Sequence, residues 1–88
     1  MKRILKYELP GEGYTSMRMA PGPVIHVDEQ DGRLCIWVEA DVDAPTKLRS
    51  FHAVMTGQLF AEDDHLEHCG TALLINGHYV VHMYEERP

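Results

Sequence analysis

The chain has little with which to staple itself, cross a membrane or hold nucleic acid. Only two cysteines, Cys35 and Cys69, occur in its 88 residues. Each sits in an apolar run, so the pair reads as buried free thiols and not as a disulfide framework. No stretch approaches the ~18 consecutive apolar residues of a membrane-spanning helix. Met1-Lys-Arg-Ile-Leu-Lys-Tyr-Glu8 begins with basic residues but lacks the apolar core of a signal peptide, which predicts a cytoplasmic protein. Positive charge is scarce. Lys and Arg number 8 against 14 Asp and Glu, for a net charge of −6. Non-specific nucleic-acid binding depends on cations neutralising phosphates, so this balance argues against it. There is no GxxxxGK loop to cradle a phosphate, and Gly11-Glu12-Gly13 is too short for a dinucleotide fingerprint. Repeats and low-complexity segments are also missing.

What is present is alternation. Gly70 to Tyr84 consists of two apolar runs joined by Asn76-Gly77, the strongest short hairpin signal, because a type I′ turn needs positive φ at both central residues. This turn pairs Ile75 with His78, Leu74 with Tyr79, Ala72 with Val81 and Gly70 with Met83. Both faces are apolar enough to predict a central or doubly covered pair. Cys69 falls on the face of Leu73 and Val80. A second hairpin turns at Asp31-Gly32. Two- and four-residue loops both put Ile25, Val27, Leu34, Ile36 and Val38 on one face, leaving Val24, His26, Asp28, Cys35, Trp37 and Glu39 on the other. Lys2 to Leu9 and Tyr14 to Met19 also alternate and read as a hairpin around Pro10-Gly11-Glu12-Gly13. Lys47 to Gly57 fits either period. The strand reading is preferred because every other segment is β. Gln58 to Asp64 reads as a loop with an acidic tip at Glu62-Asp63-Asp64. The chain is therefore expected to be one all-β domain, residues 1–88, of about seven short antiparallel strands in a small barrel or sandwich. Domains this small have marginal cores, and a homo-oligomer is expected.

Candidate chemistry is thin. His65, His68, Cys69, His78 and His82 would supply enough ligands for zinc. On a strand, however, His68 and Cys69 point to opposite faces, and they cannot share an ion without a bulge. No CxxC or HExxH spacing is present. Neither a metal nor another cofactor is expected. His26 lies near Cys35 on one face, the best thiol–base pair available, but no oxyanion device or neighbouring cation accompanies it. No catalytic residue is assigned, and the chain does not read as an enzyme. What remains is the mixed face of Trp37 and His26, joined by Tyr84 and His82. Tryptophan and tyrosine are enriched at binding hot spots, so these four are the predicted binding residues. The competing reading is that Trp37 fills a second core layer.

The stretches Lys2 to Leu9, His26-Val-Asp-Glu-Gln-Asp-Gly-Arg-Leu-Cys-Ile-Trp-Val-Glu39, Leu66 to Leu74 and Val81 to Glu86 resemble a family of short, uncharacterised proteins carried by bacteriophages and prophages. The resemblance covers most of the chain and is strongest through the His26 to Glu39 block. It implies a phage or prophage origin and the cytoplasm of a bacterial host. It assigns no catalytic residues. On this footing the expected function is an accessory protein that binds and neutralises a host protein, an effector of bacterial immunity. Two other readings stay open. One is an oligomeric sponge for a nucleotide-derived immune signal. The other is a structural or regulatory phage component. Neither nucleic acid nor a membrane is an expected partner.

Overall fold

Alternating apolar residues form strands wherever turn chemistry lets the chain reverse. In the computed structural model, which describes residues 1–62 and 65–87, these are β1 (Lys2–Leu9), β2 (Gly13–Met19), β3 (Val24–Gln30), β4 (Arg33–Asp41), β5 (Lys47–Met55), β6 (Leu66–Leu74) and β7 (Tyr79–Glu86). Among the described residues there is no helix, and every ladder is antiparallel. One sheet has the order β1-β4-β3 and the other β2-β5-β7-β6. They pack face to face without closing into a barrel, which makes the domain a β-sandwich. The Cα extents of 39 × 31 × 16 Å fit two layers about 10 Å apart. The uncertain segment from Lys47 is a strand. Of the expected acidic tip, Asp63 and Asp64 lie outside the described residues.

Both local hairpins hold the register their turns dictate. Asp31 and Gly32 have φ of 54° and 80°, and Val27 faces Ile36 across a two-residue loop. Further along, β3 bulges between Val24 and His26, so Val24 and not Ile25 faces Val38. Ile25 is thereby pushed out of the predicted apolar face and is exposed. In the other hairpin Leu74 faces Tyr79 and Ala72 faces Val81, as the turn requires. Positive φ begins one residue early, at Ile75, and continues through Asn76 and Gly77. The Gly77 N–H donates to the Leu74 carbonyl and the His78 N–H to that of Ile75, so two overlapping tight turns close the loop. β7 is central as expected, but β6 is an edge strand not covered on both sides: its Leu73 is exposed, as is Ile75 in the turn that follows.

The expected β1–β2 hairpin does not form. β1 pairs with β4 and β2 with β5, so the chain crosses from one sheet to the other at Pro10-Gly11-Glu12. Both strands have one apolar face, and facing sheets bury the two faces better than a single ribbon would. Phe51, Met19, Ile36, Met83, Val38 and Val81 fill the space between. The link from β2 to β3 lies along β4, whose Asp41 and Glu39 N–H groups donate to the carbonyls of Pro21 and Pro23, each at 3.0 Å. Only glycine fits between them. Gly22 has φ of 135°, and a Cβ there would lie 2.0 Å from the Glu39 carbonyl oxygen.

Candidate functional site

In β7 the residues Val81 and Met83 point into the core, which turns His82 and Tyr84 outward. The same alternation turns His52 outward on β5 and Tyr14 outward on β2. The ladders then line these residues up. Tyr14 faces His52, His52 faces Tyr84, and Tyr84 faces His68. One row of rings therefore crosses all four strands on the outer surface of the larger sheet. The Tyr14 and His52 centroids are 5.0 Å apart and those of Tyr84 and His68 5.2 Å, both near edge-to-face. Phe60, from the loop after β5, lies 5.5 Å from Tyr84.

A bulge delivers the last member of this row. β6 shifts register between His68 and Gly70, so His68 faces Tyr84; the hairpin register carried straight on would set it opposite Glu85. The bulge also turns Cys69 inward against the core, where burial, then the charges of Glu85 and Glu67, push its thiol up to about 11. Such a thiol is protonated at neutral pH and is a poor nucleophile. Gly70 sits where the two sheets meet. A Cβ at that position would come within 2.9 Å of Val27 Cγ2.

Hydroxyls flank the rings on both sides. The Tyr14 hydroxyl lies 2.8 Å from Ser16 Oγ and 3.1 Å from Ser50 Oγ, and these bonds lower its phenol below the usual tyrosine value. On the other side Thr71 Oγ1 is 3.0 Å from His82 Nδ1, and Thr56 Oγ1 is 2.8 Å from His82 Nε2. His52 Nε2 stands 3.4 Å from Glu86 Oε2. The surface is thus a shallow, partly exposed row of amphipathic rings. Aromatic and imidazole rings bury large area at low entropic cost when a partner covers them.

The four predicted binding residues are split between two surfaces. Tyr84 and His82 belong to the larger sheet. Trp37 and His26 lie on the opposite outer face, in a row Lys6–Trp37–His26 across the smaller sheet. The His26 and Trp37 centroids are 5.4 Å apart. Trp37 is half-buried, while its neighbours Ile36 and Val38 are fully buried beneath it. Tyr14, His52 and His68 are binding candidates that sequence reading did not assign. Among the described residues no group of three or more His, Cys, Asp or Glu is placed to hold a metal ion.

A groove of about 350 Å³ opens where the β2–β3 link passes the end of β7. Lys47, Arg49 and Arg87 line it, but so do Glu67, Glu85 and Glu86. Those carboxylates oppose a phosphate, so the groove is a poor fit for a nucleotide. Among the described residues no helix is long and apolar enough to cross a membrane.

These features define a small β-sandwich with ring-bearing rows on both outer faces. A family model described as a domain of unknown function (DUF7352) matches residues 1–88, and the chain belongs to that family. No curated protein and no solved structure matches the chain.

Proposed function

We propose that the protein is a non-catalytic binding module that docks a partner protein on the row Tyr14–His52–Tyr84–His68. The alignment of these rings across all four strands carries the reading. Tyr14 is 59% exposed, and a ring this open on a rigid sheet serves recognition better than packing. Flat rows of this kind suit another protein's surface better than a small ligand, which needs a deeper cavity. The class of partner comes from the sequence resemblance alone. It points to a host protein of bacterial immunity, which the docked module would neutralise in the host cytoplasm.

The test is affinity purification from a bacterial host, with two double variants side by side. Tyr14→Ala with His68→Ala should lose the captured protein, with affinity falling at least about thirtyfold, the equivalent of 2 kcal/mol. Trp37→Ala with His26→Ala, on the opposite face, should retain it. Equal retention by both would sink the assignment, and so would loss only with the second.

A further inference from the structure

β1 is an edge strand whose outer side offers open backbone. The Val42 N–H donates to the Met1 carbonyl at 3.2 Å, which marks that position as a hydrogen-bonded pair. Antiparallel alternation then directs the backbone of Arg3, Leu5, Tyr7 and Leu9 toward β4. β4 agrees, because its Glu39 and Asp41 N–H groups point the other way, to Pro23 and Pro21. The N–H and C=O groups of Lys2, Ile4, Lys6 and Glu8 therefore face away from β4. Among the described residues no strand pairs with that side.

We propose that this edge pairs with the same edge of a second copy, antiparallel, about a twofold axis at Leu5. Charge selects the register. A twofold axis normal to the sheet sets outward residues opposite outward residues, so the choices are few. Centring on Ile4 opposes Lys2 to Lys6, and centring on Lys6 opposes Lys6 to itself. Centring on Tyr7 pairs Lys6 with Glu8 but runs past the end of the strand at Pro10, which has no N–H. Centring on Leu5 uses the whole strand. Lys2 then meets Glu8 of the second copy, and Ile4 meets its Lys6. On the inner side Leu5 meets Leu5, and Arg3 reaches Tyr7 at cation–π distance.

Lysines on an edge strand usually guard against pairing. Here they oppose the registers centred on Ile4 and Lys6, and in the register centred on Leu5 it is Lys2 that Glu8 of the second copy answers. The outward charges already alternate across the sheet, with Lys2 on Glu39 at 2.8 Å and Arg33 on Glu8 at 3.1 Å, and the paired edge continues that pattern. Ile4, 52% exposed in the single chain, gains the stem of Lys6 from the second copy. The two smaller sheets become one continuous sheet, with both Trp37 rows on the same face. This interface does not involve the row on the larger sheet, so Tyr14→Ala with His68→Ala leaves it intact.

Analytical ultracentrifugation of the full chain tests the pairing. The wild type should sediment as a dimer of the 10.0 kDa chain at micromolar concentration. Ile4→Pro removes an N–H that the single chain does not use, so it should keep the fold and raise the dissociation constant at least about tenfold. Lys2→Glu, placing carboxylate against Glu8, should act in the same direction. Leu5→Cys should cross-link under mild oxidation, because opposed Cα atoms in a non-hydrogen-bonded pair lie about 4.5 Å apart. Arg3→Cys should not, because Arg3 sits opposite Tyr7. A monomeric wild type overturns the proposal, as does a dimer that Ile4→Pro and Lys2→Glu leave unchanged. Equal cross-linking at positions 3 and 5 overturns the register. If Ile4→Pro unfolds, Lys2→Glu and the two cysteine variants decide.

Discussion

Arg49 and Glu85 meet on the inner side of the larger sheet as a two-pronged ion pair. Arg49 Nε lies 2.6 Å from one carboxylate oxygen and Nη2 2.7 Å from the other. The Arg49 side chain is 5% exposed, and its Nη1 donates to the Ala20 carbonyl at 3.0 Å. One side chain on β5 thus ties the end of β7 to the link that carries the chain between sheets. Among the described residues no buried side-chain nitrogen or oxygen lacks a partner.

Removing Glu85 leaves the buried Arg49 side chain with only the Ala20 carbonyl, and removing Arg49 leaves the Glu85 carboxylate without its cationic partner. Glu85→Ala should therefore cost about 3–5 kcal/mol in urea denaturation, and Arg49→Ala about as much. The apolar replacement Arg49→Met with Glu85→Leu should cost clearly less than either single change. If the singles are within 1 kcal/mol of wild type (an order-of-magnitude threshold set by the usual worth of exposed pairs), the pair is a surface contact in solution.

Gly70 and Val27 set how closely the sheets approach. A Cβ at Gly70 would meet Val27 Cγ2 at 2.9 Å and Cβ at 3.0 Å. Gly70→Ala should destabilise by about 1–3 kcal/mol through overpacking. Val27→Ala in that background should return part of the loss, a coupling that a double-mutant cycle measures directly. Simple additivity of the two changes would contradict the contact.

Cys69 gives a pH dependence with a definite sign. Its thiol is raised from 9.0 to about 11 in the folded state, so the folded chain holds this proton more tightly than the unfolded chain does. The resulting stability is complete below pH 9.0 and is lost as pH rises toward about 11. Cys69→Ser should flatten that alkaline loss. Iodoacetamide should label Cys69 slowly at pH 8, much more slowly than a free peptide thiol. Labelling at the peptide rate would show that the thiol is not held in this environment.

The Tyr14 phenol should also report its hydroxyl neighbours. Ser16→Ala with Ser50→Ala removes the two bonds that lower it, so its titration should move upward. Selective NMR of the Tyr14 ring through an alkaline titration checks the direction. No movement would mean that the hydroxyl is solvated instead.

How much of this could be read from the residues follows from where the information lies. The Asp31-Gly32 and Asn76-Gly77 hairpins were legible because turn chemistry and alternation are local. For the same reason the Trp37–His26 neighbourhood was legible: both residues sit in one hairpin. β1 and β2 look like a third hairpin by the same local rules, yet Lys2 pairs with Asp41 and Met19 with Lys47. That choice is made by burying two apolar faces against each other, which no local pattern records. The ring row was hidden for a related reason. Alternation gives the face of Tyr14, His52 and Tyr84, but only the strand order β2-β5-β7-β6 makes them neighbours. His68 needed the bulge at Cys69 as well. Gly70 was the available signal, since a lone glycine within a strand marks a bulge or a close backbone approach.

If the Tyr14–His52–Tyr84–His68 row neutralises a bacterial defence protein, the effect should be visible in cells that carry the defence. Phage plating efficiency on such cells, expressing the protein, is the decisive measurement. The wild type should raise plating on at least one such strain, and Tyr14→Ala with His68→Ala, folded and equally abundant, should not. Plating restored equally by that double variant, or unchanged by the wild type across a broad panel of defended strains, would contradict it.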